Sequence, residues 1–309
     1  MASRRKLDAS TLQRFENAAA GHDGVMSDPT GELVIKPCTD AEIFFYQQTV
    51  ESHPDFVRHM PTFMGTLALS ENGASASEAA PALTQAEKDQ RLLHGAKLST
   101  ATAIVLENLE HGFKYPNVID LKLGARLYAP GTDPEKAARL DKTAAESTSA
   151  SLHFRVAGMK VWNGEAYTIY DKFYGRKFAG DNVQDAFTAY FGPLAAALSD
   201  SQADATLSSI REQLDSIIGL LQRDHSRMFS ASVLIVYEGD AKALQDLVSG
   251  AHAPPPPSDE EDGEELESPV AFKVKMIDFA HARWCPTESA DDNVLVGLRN
   301  VKDRIKMGK

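Results

Sequence analysis

Asp120 and Lys122 stand two residues apart in Pro116-Asn117-Val118-Ile119-Asp120-Leu121-Lys122-Leu123-Gly124. On an extended segment side chains alternate, so these two share one face while Leu121 and Leu123 share the other. A carboxylate and an ammonium held this way suit phosphoryl transfer. The acid orients an attacking hydroxyl or accepts its proton, and the lysine neutralises charge on the transferring group. The same spacing also fits a half-exposed ion pair on a sheet edge, so spacing alone leaves both readings open.

A second carboxylate closes Val274-Lys275-Met276-Ile277-Asp278-Phe279-Ala280-His281. Val274, Met276 and Asp278 share parity, so an apolar strand face is expected to end in Asp278. A strand-terminal aspartate can hold Mg²⁺ on nucleotide phosphates, or it can cap the following turn. His281 lies three residues on, and by itself reads equally as a structural histidine. Lys36 closes an early strand, as a phosphate-binding lysine or a solvated strand end. After Pro134, Lys136, Arg139 and Lys142 fall within an arc of about 120° on a helix, apart from Ala137, Leu140 and Ala144. Such a stripe is either an ordinary solvated face or a dock for a highly anionic small molecule.

The elements that must position these residues follow from pattern. Glu32–Lys36 reads as a strand ended by Pro37, and Asp40 as the cap of a helix running to Val50. Ser99–Glu107 is β-branched and apolar, a buried strand that leads through Asn108 to a hinge at Gly112. Asp133-Pro134-Glu135 starts a helix. Phe154–Val161 and Ala166–Tyr170 form a hairpin turning at Asn163-Gly164. Helices follow over 183–198, 205–222 and 291–306, with strands at Ser230–Glu238 and Phe272–Phe279. Residues 70–90 read as a loop insertion. Residues 251–269, with four consecutive prolines and an acidic run, are expected to be disordered. Strands and helices do not alternate regularly, so the class is α+β.

Composition excludes whole classes. The formal charge is −12, from 32 basic and 44 acidic residues, which argues against direct nucleic-acid binding. Residues 259–267 alone supply seven acidic side chains and no basic one, so a local basic pocket remains compatible with the rest. The two cysteines, Cys38 and Cys285, fit a reducing compartment better than a disulfide framework. The N-terminus lacks a secretory pattern and no apolar stretch is long enough for a transmembrane segment, so a soluble intracellular protein is expected. P-loop, dinucleotide-binding, zincin and nucleophile-elbow motifs are missing. So is the catalytic-loop motif of protein kinases, and Asp278-Phe279 is followed by Ala280 rather than glycine.

Together these residues resemble the inositol polyphosphate kinase family, whose P-x-x-x-D-x-K-x-G signature Pro116–Gly124 fits throughout. Further resembling blocks follow in the family's order: Ser151–Lys160, Tyr174-Gly175-Arg176, Ser230–Gly239, Lys275–His281 and Asp291–Leu298. Phe154, Lys160 and Tyr237-Glu238-Gly239 resemble the compact fungal multikinase branch, whereas His153 stands where a glycine is usual.

The resemblance implies a two-lobed protein-kinase-like α+β fold with a small helical substrate segment. A flexible start over 1–30 would precede an N-lobe over 31–108 and a C-lobe over 109–309, the latter holding the inositol-phosphate helix at about 133–150. It implies ATP and Mg²⁺ as cofactors. Lys36 would contact the ATP phosphates, Glu107 and Leu109 would offer hinge backbone groups to adenine, and Asp120 would lie against the ribose near the reacting centre. Lys122 would touch the transferring phosphoryl or the inositol substrate, and Asp278 would hold the metal. Lys136, Arg139, Lys142, Lys172 and His281 would bind inositol polyphosphate. Nuclear or cytoplasmic localisation is expected, with the acidic insert recruiting a basic nuclear protein partner. The rival readings are an inositol hexakisphosphate kinase and a non-catalytic inositol-phosphate-binding transcriptional scaffold.

Overall fold

A computed structural model describes residues 11–15, 24–68, 102–250 and 269–307. The insertion expected at 70–90, the acidic run at 259–267 and the first residues of the Ser99–Glu107 strand lie outside the described residues.

The chain first builds a small sheet. Strands β1 (Gln13–Arg14), β2 (Met26–Ser27) and β3 (Leu33–Pro37) lead into α1 (Asp40–Ser52) and the short α2 (Pro54–Val57). Strands β4 (Phe63–Ala68) and β5 (Thr102–Glu107) complete an antiparallel sheet ordered β1-β2-β3-β5-β4. Two of these strands arise within the segment expected to be a loose start. The cap of α1 is Thr39 rather than Asp40: its hydroxyl accepts from the Glu42 N–H, and Asp40 occupies the first turn. Strand β4 escaped the sequence reading. Its side chains alternate between half-buried and exposed, with Gly65 at φ +136 beside a register shift, so no continuous apolar run marks it.

The larger part is built on β6 (Pro116–Leu123), followed by α3 (Pro134–Ala145), α4 (Thr148–Leu152), β7 (Phe154–Trp162), β8 (Tyr167–Tyr170) and α5 (Lys172–Gly175). Then come α6 (Gln184–Ala197), α7 (Asp200–Arg223), β9 (Ser226–Met228), β10 (Ser232–Glu238), α8 (Ala241–Val248), β11 (Phe272–Ile277), β12 (Ala282–Trp284) and α9 (Asp292–Arg304). The second sheet runs β11-β10-β6-β7-β8, antiparallel throughout, and β9 pairs with β12 in a separate ribbon. Helix α7 begins earlier than its periodicity suggests, because Ser199 and Gln202 form a reciprocal capping box.

One face of this sheet is dry. Ile119, Leu121, Val233, Ile235, Val274 and Met276 are almost fully buried against Phe187, Leu214 and Leu298 from the helices. Burial of such side chains contributes roughly 1.5–3 kcal/mol each and fixes strand register, because a one-residue slip would turn the apolar set outward. The opposite face carries Val118, Asp120 and Lys122 and looks toward the small sheet. The two lobes are also joined beside this face. The Met276 N–H donates to the His59 carbonyl at 2.7 Å, and Lys275 Nζ to the Arg58 carbonyl at 2.7 Å.

Candidate active site

The cleft is organised around Asp278. Its Oδ1 accepts from Lys36 Nζ at 2.8 Å and its Oδ2 from Lys122 Nζ at 2.9 Å. Lys36 comes from β3 of the small lobe and Lys122 from β6 of the large one, so one carboxylate ties the lobes together. Lys36 Nζ also donates to Glu42 Oε1 at 2.9 Å, and the same oxygen receives the Phe279 N–H at 3.3 Å. Burial alone would lower the Lys36 pKa, but Asp278 and Glu42 outweigh it and hold the ammonium above its ordinary range.

The placement of Asp278 corrects the parity argument. Strand β11 ends at Ile277, and Asp278 takes φ +65, which breaks the alternation. Val274 and Met276 face the core as expected, whereas the Asp278 carboxylate emerges on the Lys122 side. Aspartate is among the few non-glycine residues that adopt this left-handed conformation with any frequency.

The alternation of β6 holds. Register places Lys122 opposite Ser232 on β10 and Arg155 on β7, and Asp120 opposite Leu234 and Gly158. Strand β6 lies in the middle of the sheet, so the half-exposed edge pair is excluded. Asp120 is only 5% exposed, and its Oδ1 has no hydrogen-bond partner among the described residues. Burial raises its pKa, with Asp278 adding to the effect; Lys122, Ser232 and Arg155 pull the other way. Lys122 pairs with Asp278 rather than with Asp120.

An apolar shelf continues this face toward the hinge: Leu109, Val118 and Val236 pack with Phe113, Leu234 and Ile277. Leu109 thus lies beside the cleft. Glu107 is tied down by its side chain. Its carboxylate accepts from Lys273 Nζ at 3.0 Å and from the Thr62 N–H at 3.2 Å, and its own N–H donates to the Thr62 carbonyl at 3.0 Å. Lys273 and the Thr62 bond hold the Glu107 pKa below its usual range despite burial, which acts in the opposite direction.

On the far side, α3 forms where Asp133 and Pro134 predict, with Asp133 Oδ1 accepting from the Lys136 N–H at 3.0 Å. Lys136, Arg139 and Lys142 are all exposed. Partial desolvation, then the Lys136 ammonium, hold the His281 pKa below its ordinary value, which places Lys136 and His281 in one electrostatic neighbourhood. Lys142 lies 3.8 Å from Glu146 on the outer surface. Lys172 opens α5, beside Phe173 and Arg176.

Sequence reasoning missed Glu42, although it is fully buried next to Lys36. A charged residue on the core side of α1, one turn past its cap, is the signal that could have exposed it. Arg155 was also passed over as a site residue, although it lies directly across the ladder from Lys122.

Comparison with known proteins decides the family. The inositol polyphosphate kinase profile matches residues 103–306. This chain belongs to the inositol polyphosphate kinase family. The inositol polyphosphate multikinase of Saccharomyces cerevisiae is 28% identical, over 94% of this chain and 96% of that protein. The multikinase of Schizosaccharomyces pombe is 27% identical, over 94% and 95% of the two chains. Inositol hexakisphosphate kinase 1 of Rattus norvegicus reaches 35%, but over 64% of this chain and 49% of its own length. Among solved structures, the S. cerevisiae inositol phosphate multikinase Ipk2 in complex with ADP and Mn²⁺ superposes with a TM-score of 0.67 at 26% identity, covering 89% of this chain and 98% of that one. The fold is the expected α+β kinase-like one.

Proposed function

We propose that this chain is an ATP-dependent inositol polyphosphate multikinase that phosphorylates ring hydroxyls of inositol tris- and tetrakisphosphates. The observation that carries the reading is the Lys36–Asp278–Lys122 junction beside buried Asp120, within a chain of this family. Similarity along nearly the whole chain favours the multikinase over the hexakisphosphate kinase, whose likeness spans a shorter stretch. The intact carboxylates and lysines favour an enzyme over a scaffold.

The side chains fit a divalent cation held jointly with nucleotide phosphates. Among the described residues, Glu42 Oε2 and Asp120 Oδ1 are buried carboxylate oxygens without hydrogen-bond partners, and Asp278 adds a third carboxylate. Among the described residues no group of three or more His, Cys, Asp or Glu side chains gathers into a cage. One or two carboxylates plus substrate phosphates is the usual way Mg²⁺ is bound. Asp278 would hold the ion, which when bound offsets charge on the phosphates of ATP.

The chain's own residues do the rest. Lys36 steadies the phosphates, and the shelf of Leu109, Val118 and Val236 receives the base near the hinge backbone of Glu107 and Leu109. Lys122 meets the transferring phosphoryl. Asp120 orients the acceptor hydroxyl, and its pKa, raised by burial, suits it to take the proton as the new O–P bond forms and the bond to ADP breaks. Lys136, Arg139, Lys142, Lys172 and His281 would hold the ring phosphates, with His281 in the electrostatic neighbourhood of both Lys136 and Lys122. No covalent enzyme intermediate is required. The acidic run at 259–267 would serve separately, by attracting a basic nuclear protein.

Incubation with ATP, Mg²⁺ and a panel of inositol phosphates, with products separated by charge, tests the reading. More highly phosphorylated products from the tris- and tetrakisphosphates are expected. Turnover of the hexakisphosphate alone would favour the rival kinase.

A further inference from the structure

Residues 124–132 join β6, which carries Asp120 and Lys122, to α3, and a side chain from the last helix grips this link. Asn293 of α9 takes Arg126 by both backbone groups. Its Oδ1 accepts from the Arg126 N–H at 2.9 Å, and its Nδ2 donates to the Arg126 carbonyl at 3.0 Å. The amide thus stands in for one residue of a neighbouring strand. It sits so close to Gly124 that a Cβ there would meet Nδ2 at 2.5 Å, and Gly124 itself turns at φ +96. The link is pinned on either side as well. The Gly124 N–H donates to the His153 carbonyl at 2.7 Å, and the Ser230 hydroxyl to the Leu127 carbonyl at 2.8 Å.

The grip reaches α3 through an aromatic ring. The Arg126 guanidinium lies over the Tyr128 ring at 4.9 Å and over Phe229 at 5.6 Å. Tyr128 Oη in turn donates to Asp141 Oδ2, on α3, at 3.1 Å. Helix α3 needs such a tie. Of its twelve residues only Ala144 is buried, so burial does little to fix where Lys136, Arg139 and Lys142 stand.

Resting on the kinase reading above, we propose that Asn293 and Tyr128 are positioning residues for the inositol polyphosphate: they hold α3 in its binding pose from the body of the large lobe, without touching substrate. A charged helix already in place binds a polyanion without first having to be ordered. With the tie cut, that order must be recovered from the binding energy.

The test compares wild type, Tyr128→Phe, Asn293→Ala, Asp141→Ala and Asp141→Asn by equilibrium binding of inositol trisphosphate and, separately, of ATP, with melting temperatures as a folding check. Tyr128→Phe removes only a hydroxyl from a half-buried ring, so it keeps the test open if Asn293→Ala folds poorly. Tyr128→Phe is expected to weaken inositol trisphosphate binding about threefold and Asn293→Ala about tenfold, the range set by losing one or two net hydrogen bonds. ATP affinity should move by less than about twofold in both. The two Asp141 variants lack the same charge and differ in whether an acceptor remains for Tyr128. Asp141→Ala should bind inositol trisphosphate about threefold more weakly than Asp141→Asn, although alanine is the better helix former. Unchanged inositol trisphosphate affinity in Tyr128→Phe and Asn293→Ala, an equal loss of ATP affinity, or equal affinities in the two Asp141 variants overturns the tie. Wild-type turnover judges the kinase reading separately, because the binding comparison stands whether or not transfer occurs.

Discussion

Asp278 does two jobs at the residue scale. Its carboxylate neutralises two lysines from different lobes, and its left-handed backbone aims it there. Asparagine tolerates the same backbone and keeps one acceptor oxygen, so Asp278→Asn separates charge from shape. We expect it to fold, with a stability loss of about 1–3 kcal/mol from lysines left undercompensated. Turnover should fall by about 100-fold or more, the scale set by removing one preorganised electrostatic group. Circular dichroism and steady-state rates on the purified variant check both halves; a folded variant with near-normal turnover would remove Asp278 from the chemistry.

Elements explain what the sequence could and could not disclose. Asp120 and Lys122 were legible as a pair on one face because β6 is a regular strand, and alternation is a local property. Alternation carried one residue past the end of β11 puts Asp278 on the apolar face, and a positive φ there overrides it. Glu42 and Arg155 gain meaning only when α1 and β7 are packed around Lys36 and Lys122, which no single-segment pattern encodes. His153 shows the reverse: the sequence flagged a histidine where glycine is usual, and the structure supplies the reason. It ends α4 at φ +55, with its Nδ1 buried and without a hydrogen-bond partner among the described residues. Its carbonyl packs on α9, where a Cβ added to Gly297 would meet it at 2.2 Å. His153→Gly should therefore raise stability by about 0.5–1 kcal/mol, net of the extra freedom glycine gives the unfolded chain. Gly297→Ala should lower it by about 1–3 kcal/mol despite alanine's better helix propensity. Thermal melts of the two variants moving in the same direction would contradict this packing.

At the scale of the whole molecule, the lobes are bound to each other beside the cleft as well as through it. His59, buried just past α2, holds the Ser216 hydroxyl of α7 at 2.9 Å through Nε2 and receives the β11 backbone on its carbonyl. Burial, then Arg58 and Lys275, pull its pKa down to about 4. A histidine depressed in the fold is neutral there but charged in the unfolded chain below about pH 6.5. Its contribution is therefore complete above that value and is lost as pH falls toward 4. The loss should be on the order of 3 kcal/mol. Melting temperature should decline across this window, and His59→Gln should flatten the decline; an unaltered slope would place the acid sensitivity elsewhere. The lobes so joined have one chemical purpose, moving the terminal phosphoryl of ATP onto an inositol polyphosphate. The most direct measurement follows ATP labelled in its γ-phosphoryl group, mixed with the full chain, Mg²⁺ and inositol trisphosphate. Label is expected in an inositol product of higher negative charge, with ADP released in equal amount. Label found only in ATP and free phosphate would contradict it.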